Sequence, residues 1–106
     1  MSDGIGARPL LAGEKPDGDL EFPFRFPLRK AIRSFDEEKT EIVLEEPTAD
    51  HAVKYGLLTR GLTDETAAAL IADLTKVPEA SIKRMALSDM IRLTTILSRF
   101  LSQAAR

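Results

Sequence analysis

Beginning at Phe22, apolar residues occupy alternate positions. Phe22, Phe24, Phe26, Leu28 and Ile32 fall on one side of an extended chain, and Arg25, Arg29 and Arg33 on the other. Pro23 and Pro27 interrupt this run, and a proline inside a sheet removes a ladder donor. The two have the same parity, so their missing N–H groups face one edge and leave the even-numbered residues free to pair. An edge strand with a single partner is therefore expected. Ser34 to Lys39 reads as a polar connection, and Thr40 to Glu45 as the returning strand with Ile42 and Leu44 inward. A lone hairpin is marginal in water, so the apolar face of this one, about residues 22–46, needs helices over it.

At Pro47 the pattern changes to a helical one. Thr48 is a natural N-cap, and Asp50 lies in the first turn, where the helix dipole favours a negative charge. A helix is expected from Ala49 to Leu58 that buries Ala52, Val53 and Leu57, with Leu58 at the margin; Gly56 weakens it and Gly61 ends it. Thr63 caps a second helix carrying Ala67, Leu70, Ile71 and Leu74. It should stop near Val77, because Pro78 disfavours helix for the residue before it. Pro78 opens a further turn through Met85. Ser88 then caps the last helix, with Asp89 just inside. Its stripe of Met90, Leu93, Leu97, Phe100 and Leu101, flanked by Ile96, is the broadest apolar face in the chain.

The expected fold class is thus α+β: an N-terminal antiparallel β-hairpin packed against a C-terminal bundle of three to four short helices over about residues 48–104. Residues 1–20 mix Gly and Pro with polar residues and show no period, so they read as a flexible tail ahead of a single domain at 21–106. Within that tail Leu10-Leu11 is the pair that could dock on a partner.

Length and composition narrow the function. The chain has 106 residues, 43% of them hydrophobic and 30% charged, which suits one domain with a modest core. The formal net charge is -2, which disfavours a dedicated nucleic-acid binder, since such proteins concentrate positive charge. There is no cysteine, so disulfides, thiolate chemistry and Cys-ligated zinc are out. No apolar run approaches the roughly 18–20 residues a membrane span requires, and the N-terminus shows no signal-peptide pattern.

Candidate chemistry is sparse. His51 stands alone in the first turn of a helix, and a catalytic base or a metal site needs further groups beside it. Asp36-Glu37-Glu38 and Glu45-Glu46 lack the alternating ligands and bend glycine of a calcium loop. No glycine-rich loop precedes a Lys-Ser/Thr pair, so phosphate cradling has no support. Arg25, Arg29, Lys30 and Arg33 could meet phosphate or an acidic partner, or could simply pair across the hairpin with Glu41 and Glu45. Catalytic and metal residues are therefore expected to be none, no cofactor is expected, and the protein reads as a non-enzyme. The last helix carries more apolar surface than one short helix needs, which leaves some for a partner helix.

The order of these pieces resembles a known family. A strand with F-P-L-R-K-A-I, a turn, a strand T-E-I-V-L-E-E-P-T-A-D and a helix opened by Pro47-Thr48-Ala49-Asp50 are similar to the phage tail assembly chaperones of Mu-like and P2-like contractile-tailed phages. Lys76-Val77-Pro78, Ile82, Leu87-Ser88, Asp89 and Phe100-Leu101 fit the family's later segment. The resemblance covers about Phe26 to Leu101. It departs at Ala31, where the family often has proline, and it does not address the N-terminal leader.

The resemblance implies a chaperone that binds the tape measure protein and keeps it soluble before tail-tube assembly, with the tail-tube protein as a further candidate partner. It implies a host bacterial cytoplasmic protein, absent from the mature virion, with no nucleic acid, membrane or small-molecule substrate as partner. A longer frameshifted product is common in such families. Leu57, Leu58, Ile91 and Ile96 are the candidate protein-binding residues. A small nucleic-acid-associated regulator, another protein-interaction module and a structural virion component are the alternatives.

Overall fold

The computed structural model describes residues 20–104. The expected tail lies outside the described residues except for Leu20, which is buried. Two strands, β1 (Phe24–Ser34) and β2 (Glu37–Leu44), form an antiparallel two-stranded sheet. Five helical segments follow: α1 (Ala49–Tyr55), α2 (Leu57–Arg60), α3 (Asp64–Thr75), α4 (Glu79–Ile82) and α5 (Leu87–Ala104). The hairpin-plus-helices α+β reading is what the molecule adopts, with α2 and α4 as single turns and α5 the one long helix.

The sheet buries one face. Phe24, Phe26, Ile32, Ile42 and Leu44 are all buried, and Phe24 and Phe26 stand opposite Leu44 and Ile42. Helix α3 packs on β2, whereas α4 and α5 pack on β1. Each fully buried Leu, Ile or Phe side chain is worth about 1.5–3 kcal/mol. The core therefore draws its strength from the sheet face together with Leu70, Ile71 and Leu74 of α3 and Leu93, Ile96, Leu97 and Phe100 of α5. The outer face stays open to solvent, where Arg25 pairs with Glu41 at 2.7 Å. An ion pair this exposed contributes little.

The hairpin is longer than its sequence suggests. The strands continue to Ser34 and from Glu37, so the connection is Phe35-Asp36 rather than the expected Ser34 to Lys39. Charged side chains at the tip point to water and do not interrupt pairing, which is why Glu37, Glu38 and Lys39 read as a turn. Phe35 has a φ of 57°, uncommon for a bulky residue, and its ring is exposed.

The pairing also breaks in the middle. Pro27 stands opposite Glu41 and Ile32 opposite Lys39, so the four residues Leu28 to Ala31 face Thr40 alone. A bulge leaves main-chain groups outside the ladder. Asp89, in the first turn of α5, supplies what is missing. Its carboxylate accepts the Arg29 N–H at 2.9 Å and 3.1 Å, the Lys30 N–H at 3.2 Å and the Arg92 guanidinium at 2.8 Å. The Arg92 guanidinium lies 4.8 Å from the centre of the Phe26 ring. Asp89 is completely buried, and its position at a helix N-terminus adds the favourable field of the helix dipole.

Helix boundaries moved for physical reasons. The expected Ala49–Leu58 helix breaks at Gly56, which adopts a left-handed conformation with a φ of 67°. Leu57 is buried as expected, whereas Val53 and Leu58, expected inside or at the margin, are exposed, and Tyr55 takes the inward place on α1. Helix α3 ends at Thr75, with Lys76 left-handed at a φ of 61°. Helix α5 begins at Leu87, so Ser88 lies inside it rather than capping it.

Replacing Asp89 by Asn turns one acceptor into a donor facing main-chain N–H groups. Asp89→Asn should lower the unfolding free energy by about 2–3 kcal/mol, the penalty for buried polar groups left unpaired. Urea denaturation measures it; an unchanged midpoint would show that the carboxylate does not hold the bulge.

Candidate functional site

Small and apolar residues line a groove between the start of α1, α2 and the end of α5. Pro47, Ala49, Ala52 and Leu58 form one wall and Phe100, Leu101 and Ala104 the other, with Leu57 at its base and a volume of about 420 Å³. Short side chains at 47, 49 and 52 keep α1 from filling the space. On the α5 side Phe100 is fixed by an edge-on contact with the Phe22 ring, whose centre is 4.7 Å away.

The break at Gly56 positions the two leucines. A left-handed residue between α1 and α2 turns the chain so that Leu57 enters the core and Leu58 faces out, 82% exposed. The Arg60 side chain lies against Gly56, where an added Cβ would sit 2.6 Å from Nη2.

Two sets of polar contacts hold α1 in place. His51 Nδ1 accepts the Thr48 N–H at 2.9 Å, which satisfies one of the free donors at the helix start. The histidine, half-buried, thus has a capping role. At the other end Tyr55 donates its hydroxyl proton to Asp73 on α3, and Lys54 approaches the same carboxylate at 3.1 Å. The Tyr55 hydrogen bond, then the Lys54 ammonium, hold the Asp73 carboxyl below its ordinary value. Burial, aided by the Asp73 bond, pushes the Tyr55 phenol up, and the hydrogen bond to Asp73 raises Lys54.

The four residues singled out in the sequence separate in space. Leu57 and Leu58 meet at the groove. Ile91 is more than half exposed on α5, nine residues from Phe100 and so about 13 Å along the helix. Ile96 is not on the fringe at all: it is 7% exposed, a core residue, because α5 turns it toward the rest of the buried cluster. Pro47, Ala49, Ala52 and Ala104 had no sequence signal as binding residues, since small residues at a helix start look like capping and nothing more.

Among the described residues no group of three or more His, Cys, Asp or Glu could hold a metal ion, and no helix is long and apolar enough to cross a membrane. What the groove offers chemically is an apolar trough for a side-chain stripe, with exposed carboxylates of Glu45, Glu46 and Asp50 near its α1 end.

A family model described as phage tail assembly chaperone proteins, E, or 41 or 14, matches residues 25–102. Its span takes in both strands and all the helices up to the last turn of α5. No curated protein and no solved structure gave a match.

Two outcomes test the geometry of the site. Gly56→Ala puts a side chain at a positive φ and against Arg60, and should cost about 1–2 kcal/mol of stability in a denaturant titration; no loss would mean that the break does not depend on glycine. Asp73 titrates below the ordinary 3.8 in the folded chain, so the unfolded chain binds the proton first as pH falls. Its contribution is complete above that ordinary value and disappears as pH drops through the folded one. The melting-temperature gap between the natural chain and Asp73→Asn should therefore be constant near neutrality and close in strong acid; a gap that widens in acid would refute the assignment.

Proposed function

This chain belongs to the phage tail assembly chaperone family, and we propose that it binds the tape measure protein and keeps it soluble until the tail tube assembles around it. Binding needs no catalysis. A long helical client exposes an apolar stripe that would otherwise aggregate, and a helix laid into a groove buries such a stripe reversibly. The observation that supports this most is the groove beside Leu58, an apolar surface with a fully solvated leucine at its rim that the fold itself does not use. Exposed apolar patches on small soluble domains commonly mark interaction sites.

Reversibility suits the scale of the surface. A groove of about 420 Å³ takes a few side chains rather than a whole helix face. Affinity from such a contact stays modest, which lets the polymerising tube displace the chaperone. The protein would then act in the host bacterial cytoplasm and be absent from the mature virion, with the tail-tube protein as the partner that relieves it.

Co-expression with a tape measure protein should raise the client's soluble fraction several-fold. Leu58→Asp and Leu101→Asp, which alter exposed or half-buried groove positions, should abolish that gain while the melting temperature stays near that of the natural chain. Retained solubilisation by both folded variants would place the client contact elsewhere.

A further inference from the structure

We propose that the solvent face of α5 is a self-association surface, on which a second copy of this chain lays its own α5 antiparallel about a two-fold axis near Thr95. The surface is separate from the groove and does not depend on the chaperone reading.

The placement of charge sets this helix apart. Every exposed position of α5 is uncharged, whereas each of the other four helices exposes at least one charged residue, among them Lys54, Arg60, Asp64 and Glu79. The charged residues of α5 are withdrawn from solvent: Asp89 is buried, and Arg92 and Arg99 are partly covered. What α5 shows to water instead is Leu87, Ser88, Ile91, Thr95, Ser98 and Ser102. From Ser88 onward the steps alternate between three and four residues, the heptad spacing of a seam between paired helices. Leu87 is 74% exposed and Ile91 55%. Ile91 and Phe100 are nine residues apart, which at about 3.6 residues per turn puts them on opposite sides of the helix, so this face looks away from the groove.

The shape of the face fits a second copy of itself. Its bulky residues, Leu87 and Ile91, lie in the first half of α5, and its small ones, Ser98 and Ser102, in the second half. Antiparallel pairing sets bulk against gap at both ends, and the small residues let the two axes approach to the about 8–10 Å of close helix packing. Parallel pairing would set Ile91 on Ile91 and leave a void at Ser98. Opposed helix dipoles favour the antiparallel arrangement as well. Neither copy brings a charge that would be buried unpaired. Thr94 donates its hydroxyl to the Met90 carbonyl at 2.9 Å and Thr95 donates its own to the Ile91 carbonyl at 2.8 Å, so a covering helix strands neither donor. The seam from Leu87 to Ser102 is about 22 Å long. One pair of helices over that length buries less than the about 800 Å² per partner of a standard interface. The dimer is therefore weak and forms as concentration rises.

Sedimentation of the full natural chain should give an average mass that climbs from 11.7 kDa toward twice that value with concentration. Ile91→Glu should hold it at the monomer mass, with an unchanged melting temperature because the position is exposed. The absence of cysteine allows single ones to be introduced cleanly. Under mild oxidation Thr95→Cys, beside the two-fold axis, should yield a cross-linked dimer. Ser102→Cys should not, because antiparallel pairing keeps its two copies about 20 Å apart, well beyond the roughly 7 Å between Cα atoms that a disulfide spans. A natural chain that stays monomeric overturns the proposal. So does a missing Thr95→Cys cross-link, or cross-linking of both variants, which would indicate parallel or random contact. A dimer that survives Ile91→Glu but is broken by Leu58→Asp would belong to the groove, and overturns it too. A monomeric natural chain whose solubilisation of a tape measure protein is lost in Ile91→Glu would give this face to the client instead.

Discussion

One buried carboxylate determines how the two halves of this protein meet. A two-stranded sheet has no neighbours to correct its irregularities, and β1 carries a bulge in its middle that frees the N–H groups of Arg29 and Lys30 from the ladder. Asp89 binds both and is itself charge-compensated by Arg92, which in turn lies on the Phe26 ring. Taking a carboxylate out of water is expensive unless it is hydrogen-bonded on every side, and this one is. The start of α5 is thereby locked to one point on β1, and the direction of the longest helix follows from it.

With α5 fixed at its start, its far end is fixed by the apolar contact of Phe100 with Phe22 and by the hydrogen bonds between the Gln103 amide and the Leu20 main chain. The groove is what remains between that end and α1. It exists because α1 begins with small residues and breaks at a left-handed glycine. A larger residue at Ala49 or Ala52 would fill it. An unbroken helix through Gly56 would carry Leu57 and Leu58 in other directions. The Tyr55–Asp73–Lys54 cluster ties the α1 wall to α3.

Much of this architecture can be read along the chain. Alternation at Phe22 to Phe26 and at Ile42 and Leu44 marks the buried face of a hairpin, and Ala67, Leu70, Ile71 and Leu74 mark the inner face of a helix; all are placed as expected except Phe22, which is half-buried against Phe100. Val53, Leu58 and Ile96 went the other way. Each was assigned from the apolar stripe of an unbroken or isolated helix. A left-handed turn at Gly56 sent Leu58 outward, α1 presents Tyr55 rather than Val53 to the core, and the cluster around α5 enclosed Ile96. The charged hairpin tip misled for a related reason, because solvent-facing strand positions tolerate any polar residue.

The sequence by itself determined the class of the fold, the family, and the faces of the sheet and of α3, since these depend on the local period of apolar residues and on caps and prolines a few positions away. Tertiary structure alone decided the role of Asp89 and the groove. A residue read as a first-turn acid became the buried joint of the molecule because its partners, Arg29 and Lys30, lie about 60 positions away. The groove likewise takes one wall from residues near 50 and the other from residues near 100. No local pattern encodes such a meeting, because it depends on how folded elements are oriented in space.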